Sequence, residues 1–341
     1  MEIIEFREEH TSSWDRFVGQ QEKATFFHLT GWKRVVERVF GHRSRYLLAQ
    51  EKGDITGILP LFLIKSRLFG KFLVSVPFAV YGGICAVHDD ARDLLLERAK
   101  EIAQEQEVDY LELRNLQPDP SALSLNDLYV TFMKPLPSDS AQCLRELPRK
   151  ARAAARQAIE YGLECELGRD RLKEHYQLNA IQMRRLGSPV LPFSWFQSLA
   201  QEFKDQSTIL SVRYGGKLVA SVFVFLFRDT VLPYYSGSLQ EYNRYHISNF
   251  MYLKLMEFGV ENGYKIFDFG RSRKGTGPYS FKKNQGFDSQ PLFYQYYLNR
   301  ITEIPNVTPS NPKFDYPKRI WQKMPLPVTK WLGPKLVRAI P

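Results

Sequence analysis

The sequence predicts a mixed α/β (α+β) chain made of two tandem domains of one kind, and three observations carry this. At 341 residues the chain is too long for one small domain and suits two. Each half repeats one order of elements: helix, hairpin, strand, helix, strand. Between the halves, Pro135, Pro137, Ser138 and Asp139 form a cluster that breaks regular structure. Domains are expected at 1–139 and 140–300, with a basic tail containing Pro and Trp at 301–341.

In the first half, Arg45 to Phe62 reads as a hairpin, two apolar stretches around Lys52-Gly53-Asp54. An apolar segment from Phe72 to Gly83 follows. A helix over Ala91–Gln106 then leads into a strand over Val108–Arg114, which carries Asp109 and Glu112. The second half opens with a helix over Ser140–Glu160, rich in Ala, Arg, Leu and Gln and closed by Gly162. Ile209 to Phe225 reads as a hairpin turned by Gly215-Gly216. Val231–Gly237, a helix over Asn249–Asn262 stopped by Gly263, and a strand over Tyr264–Gly270 complete the repeat.

Composition excludes several classes. With 44% apolar and 25% charged residues the chain is neither disordered nor fibrous. A chain of this size buries about three quarters of its unfolded surface, so it needs no disulfide or metal to hold a core. The longest apolar run, Val219–Phe227, is too short to span a bilayer. The acidic start, Met1-Glu2-Ile3-Ile4-Glu5, lacks the order of a secretory signal, so a cytoplasmic location is expected. Cys85, Cys143 and Cys165 form no CxxC and read as free thiols in a reducing compartment. No cysteine has His at metal spacing, so no zinc site is expected.

The net charge of +10 points either to a solvated basic surface or to an anionic partner. The charge is clustered. Arg145, Arg149, Lys150, Arg152 and Arg156 face Glu146 alone, and residues 271–283 hold Arg271, Arg273, Lys274, Lys282 and Lys283 with no acid. Residues 313–341 carry seven cations against Asp315.

The most informative stretch runs Asp268-Phe-Gly-Arg-Ser-Arg-Lys-Gly-Thr-Gly-Pro-Tyr-Ser-Phe-Lys-Lys-Asn-Gln-Gly-Phe287. Its Asp268-Phe269-Gly270 is not a kinase motif, because the upstream glycine loop, strand lysine and His-Arg-Asp loop are missing. Gly275-Thr-Gly277 lacks phosphate-loop spacing and is followed by Pro278. The form [QR]xxGxG[AG] of an acetyl-CoA loop is broken as well, by Ser272 and Pro278.

This strand end, glycine turn and Phe281-Lys282 pair before Gly286-Phe287 resemble the C-terminal signature of the FemAB family. The resemblance covers most of residues 1–300. It includes Phe26-Phe27-His28 before Trp32, and the helix from Arg149-Lys150-Ala-Arg152 to Gly162. The full run looks most like the FemAB-like branch linked to exosortase (PEP-CTERM) exopolysaccharide loci. The family implies two tandem GNAT-like (acyl-CoA N-acyltransferase-like) domains with the active cleft largely in the second. It implies transfer of an aminoacyl or other acyl group to an amine on a cell-envelope, peptidoglycan or exopolysaccharide precursor, nucleotide-linked or lipid-linked. The donor would be aminoacyl-tRNA or acyl-CoA, as substrate and not as a resident cofactor.

The resemblance places Lys282 at the ester carbonyl, where a cation stabilises the developing oxyanion, and Phe281 at the acceptor channel. Arg271, Arg273, Lys274 and Lys283 are candidate phosphate ligands for a nucleotide-sugar or a tRNA end, or else a solvated loop. Tyr234 and Tyr235 either line the donor cleft or simply pack. His246 has no carboxylate neighbour in sequence and reads as structural; Asp268 either orients a cation or, the favoured reading, caps the following turn. No long charged insertion of the kind that forms a tRNA-binding arm is present, and no counterpart of the family's first-domain precursor-binding lysine is assigned. Two further functions stay open: an acyl-CoA-dependent N-acyltransferase of an exopolysaccharide sugar, and a non-catalytic scaffold in polysaccharide assembly. In the tail, Lys318, Arg319, Trp321 and Lys323, then Lys330, Trp331, Lys335 and Arg338, have the make-up of a segment that contacts an anionic inner membrane face, or of a tail packed on the domains.

Overall fold

Both glycine-turn hairpins form. Lys52 and Gly53, at φ +51° and +92°, turn Leu47–Glu51 back onto Asp54–Leu59. Gly215 and Gly216, at φ +55° and +76°, join Ser207–Tyr214 to Lys217–Phe227, as a two-residue turn with both centres left-handed requires. The computed structural model describes residues 1–67, 69–118, 120–305 and 311–340.

The chain forms two units. One comprises Met1–Tyr129, Pro291–Thr308 and Arg338–Pro341; the other comprises Val130–Gln290 and Pro309–Val337. In the first, the Asp89–Glu105 helix connects two parallel strands, Gly70–Val74 and Tyr110–Asn115. In the second, the Ile247–Glu261 helix connects Thr230–Ser238 to Ile266–Asp268, again parallel. The expected repeat is therefore present at its centre, as one strand–helix–strand crossover in each unit. The frames differ. The first unit has a four-stranded and a six-stranded sheet, and the second has one eight-stranded sheet.

The boundaries at 139/140 and 300/301 need correction. Tyr129–Pro135 hydrogen-bonds to Ile266–Asp268 in the second unit's sheet, and Phe293–Leu298 hydrogen-bonds to Tyr110–Asn115 in the first unit's sheet. Each sheet is thus completed by a strand from the other half of the chain. A non-local pairing of this kind leaves no local sequence signal. The helix expected over Ser140–Glu160 is two helices, Ser140–Glu146 and Arg149–Glu160. Pro148 breaks it, because proline disfavours helical backbone at the preceding Leu147 and cannot donate a helical hydrogen bond.

The second unit's core lies between its sheet and the Ile247–Glu261 helix, where Val222 and Val224 meet Phe250, Met251 and Leu255. Each such side chain contributes about 1.5–3 kcal/mol by leaving water. The other face of the sheet takes the Leu172–Leu186 and Phe193–Glu202 helices. Gly237 is required there: a Cβ at this position would come within 2.4 Å of the Asn179 backbone nitrogen.

The tail is helical over Asp315–Lys323 and Leu326–Val337. Both helices pack on Leu172–Leu186. Trp321 is buried and donates its indole N–H to the Ser188 carbonyl at 3.0 Å, and Gly333 sits against the backbone of Val190. The expectation of a membrane-facing Trp321 is corrected by this contact. Of the tail prolines, Pro309 and Pro341 lie outside the described residues. Among the described residues, no helix is long and apolar enough to cross a membrane. The three cysteines are free, with Cys165 exposed and the other two buried.

Candidate active site

The parallel strands Thr230–Ser238 and Ile266–Asp268 pair only at Thr230↔Ile266 and Val231↔Phe267. Beyond Phe267 the pairing ends, although the first strand continues to Ser238. A register shift between Phe223 and Val224, with Tyr234 as the extra residue, bends that strand. The glycine turn and the Gly277–Asn284 helix follow the second strand. Thr276 has extended backbone and Pro278 occupies the first helical turn, where its missing N–H costs nothing. Gly286, at φ +83°, ends the helix against Pro148.

This short helix turns Lys282 inward. The side chain is buried, and its ammonium donates to the carbonyls of Gly270 at 2.8 Å and Arg271 at 3.0 Å. The rings of Phe132 and Phe269 lie 5.6 and 5.4 Å from Nζ. Burial pulls the lysine down to about 7, against the favourable field of Asp268, while Arg271 pushes the same way as burial. Asp268 is buried too. Its carboxylate accepts the Gly270 N–H at 2.8 Å and the Thr131 hydroxyl at 3.4 Å. Burial pushes it up to about 7, opposed by the Gly270 bond and by Lys282. Of the two readings of Asp268, the cap on the turn agrees with the structure through the Gly270 bond, and the orientation of a cation agrees through its favourable field on Lys282.

Lys282 has three N–H donors and spends two on the turn. A cation clamped this way, in a place that excludes water, is suited to meet charge that develops on a carbonyl oxygen. Close by in sequence, Ser272 Oγ and Gln285 Oε1 are buried without a hydrogen-bond partner among the described residues.

The other expected residues divide. Phe281 is half-buried and packs on Phe269 at 6.2 Å and Tyr252 at 5.8 Å, next to the lysine's own aromatic neighbour. Arg271 and Arg273 are half-buried on the turn, whereas Lys274 and Lys283 are exposed, the latter 5.9 Å from the Tyr279 ring. Tyr235 is not brought to this site. It pairs with Phe223 across the sheet, its hydroxyl accepts the Trp195 indole N–H at 3.1 Å, and its ring meets Phe196. That is packing against the Phe193–Glu202 helix, and it corrects the channel-lining role. Tyr234 packs between Phe225 and Tyr235. His246 hydrogen-bonds the Gln157 side chain at 3.0 Å, a structural contact.

Tyr252 was missed. It projects from the crossover helix, its ring is 4.4 Å from Phe269, and its hydroxyl is hydrogen-bonded to Ser236. It thus joins the part of the Thr230–Ser238 strand that lies beyond its pairing with Ile266–Asp268 to the aromatic group around Lys282. A tyrosine in an apolar helix reads as core, so its sequence gave no signal. In the first unit, Phe26, Phe27 and Trp32 are core residues. His28 accepts the Thr25 N–H through Nδ1 at 3.0 Å, which leaves Nε2 to donate to the Gly83 carbonyl at 3.0 Å.

Comparison with known proteins bears on the fold. Residues 141–283 match the model of an acetyltransferase (GNAT) domain. A crystal structure of FemX is similar with a TM-score of 0.67 at 15% identity, covering 88% of this chain and 98% of that one. The C-terminal domain of a putative lysylphosphatidylglycerol synthetase from Agrobacterium fabrum gives 0.56 at 13% identity, covering 85% and 92%. A tandem GNAT protein from the clavulanic acid biosynthesis pathway gives 0.54 at 10%, covering 86% and 97%. No curated protein matches the chain significantly. Residues 141–283 thus resemble a GNAT domain, and the chain as a whole has a fold like that of FemX and of the tandem GNAT protein.

Proposed function

We propose that this chain transfers an aminoacyl group from aminoacyl-tRNA to an amine on a cell-envelope or exopolysaccharide glycan precursor. The observation that carries the proposal is Lys282: buried, clamped on two carbonyls of the turn, and left with one N–H to give. In this reading the acceptor amine attacks the ester carbonyl of the donor. The C–N bond forms, the carbonyl oxygen becomes an oxyanion that takes the third N–H of Lys282, and collapse expels the ribose oxygen. The amine gives up a proton, and the leaving oxygen takes one. Phe281 shapes the approach of the acceptor, and Arg271, Arg273, Lys274 and Lys283 supply cations for phosphate on donor or acceptor. The likeness to FemX in fold supports this reading.

A second reading, acyl transfer from acyl-CoA to an amino sugar, is favoured by the acetyltransferase character of the matched model. Against it, residues Leu239–His246, which open the crossover helix, contain no glycine to let the backbone approach a pyrophosphate closely. Titration with charged and uncharged tRNA, and with acetyl-CoA, separates the two. Preference for the charged tRNA supports the first, acetyl-CoA binding supports the second, and binding of neither removes both. The finer likeness to exosortase-linked proteins is tested by the acceptor: an exopolysaccharide amino sugar supports it and a muropeptide does not.

A further inference from the structure

The two tail helices present the wrong side chains to water. Asp315–Lys323 buries Trp321 and leaves Tyr316 and Ile320 75% and 41% exposed, on a stripe with Arg319 and Lys323. Leu326–Val337 buries Thr329 and Gly333 and leaves Val328 and Trp331 40% and 66% exposed, in line with Lys335 at spacings of three and four. An ordinary surface helix carries its aromatic residues inward. Here aromatic and aliphatic groups alternate with cations on the outer face, the composition of a helix that lies in a membrane interface.

The surface continues onto the domain. An open groove of about 860 Å³ runs between the last helix and the domain's own helices, lined by Tyr176, Phe193, Leu326, Pro327, Lys330 and Trp331. Lys330 is held over the Tyr176 ring at 4.9 Å and donates to Gln177. Among the described residues, Lys318, Arg319, Lys323 and Lys335 join no ion pair with an acid, and Asp315 is the sole acid of the tail helices. On the neighbouring Leu172–Leu186 helix, Glu174 pairs with Arg171 at 3.6 Å. The face is therefore both apolar and positive.

We propose that this face docks the protein onto an anionic bilayer, with Trp331 and Val328 entering the interface and Lys323, Lys335 and Arg319 over the head groups. Because Trp321, Gly333 and Thr329 fix both helices on the second unit, docking holds that unit at the lipid surface. The proposal does not rest on the aminoacyl reading.

The test is cosedimentation of the full chain with vesicles of equal parts phosphatidylglycerol and phosphatidylcholine, and with pure phosphatidylcholine, at low and high salt. Pelleting is expected with the anionic vesicles only, weakened by salt. Lys323→Gln and Lys335→Gln are expected to weaken partition by roughly five-fold each. Val328→Ser with Trp331→Ser is expected to weaken it by roughly ten-fold or more while the thermal transition stays unchanged, since both are exposed. No pelleting with anionic vesicles overturns the proposal. So does equal pelleting of wild type and the double serine variant, which would put the contact on another basic patch. Self-association that the double variant abolishes, without lipid binding, would instead make the face an interface between copies.

Discussion

Asp268 and Lys282 grip the two polar groups of one residue: Asp268 accepts the N–H of Gly270 at 2.8 Å, and Lys282 donates to the carbonyl of Gly270 at 2.8 Å. An acid and a base of opposite charge thereby fix the same turn from both of its hydrogen-bonding sides. Both are buried, and burial brings both to about 7 from opposite directions.

Lys282→Met is expected to lower transfer by about 10²–10³ in rate. It also leaves two carbonyls without their donor, at a cost of about 1–3 kcal/mol in stability. The two effects are separated by measuring kcat on protein shown to be folded by its thermal transition. A rate loss that merely tracks the folded fraction would make the lysine a staple of the turn and nothing more.

The pH dependence has a definite sign. A lysine that must be protonated to stabilise an oxyanion loses that ability as pH rises through its folded value, so kcat should fall above about 7. Asp268 raises the lysine's affinity for its proton. Asp268→Asn should therefore shift the falling limb to lower pH, and a pH–rate profile reads this directly. For stability the lysine acts oppositely. Its folded value lies below its unfolded one, so its burial penalty is full below about 7 and fades between there and its ordinary value near 10.5.

Tyr235→Phe tests the packing assignment. The Trp195 N–H loses its acceptor and the melting temperature should drop, by an amount equivalent to about 1–3 kcal/mol. Turnover and KM of the folded protein should not change. Tyr252→Phe should do the reverse, costing about 1 kcal/mol in stability but altering turnover, because its hydroxyl bond to Ser236 borders the site.

Gly237→Ala probes the sheet beside the site. The new methyl would meet the backbone of Leu178 and Asn179, which cannot rotate away. A loss of roughly 1–3 kcal/mol or more is expected in denaturant unfolding.

What the sequence made legible was local. The hairpin turns at Gly53 and Gly215-Gly216, the helix stop at Gly263 and the cap at Asp268 all depend on near neighbours, and each is where it was expected. The partners of Tyr129–Pro135 and Phe293–Leu298 lie well over a hundred residues away in sequence and carry no local mark. Lys282 was recognised through its Phe281 neighbour and its motif, but a lysine in a basic run gives no hint of burial. Trp321 and Trp331 show the same limit. Both stand among cations in sequence, yet one is buried and the other is 66% exposed. Helix phase relative to an unseen neighbour decided that.

The central claim is that Lys282 serves transfer from a charged tRNA. The most direct measurement is single-turnover transfer of a labelled amino acid from charged tRNA to a nucleotide-linked precursor with a free amine, for wild type and Lys282→Met, with acetyl-CoA as the parallel donor. Transfer from the tRNA by wild type, about 10²–10³ slower in a folded Lys282→Met, is the expected result. Undiminished transfer by the variant, or transfer from acetyl-CoA alone, would contradict it.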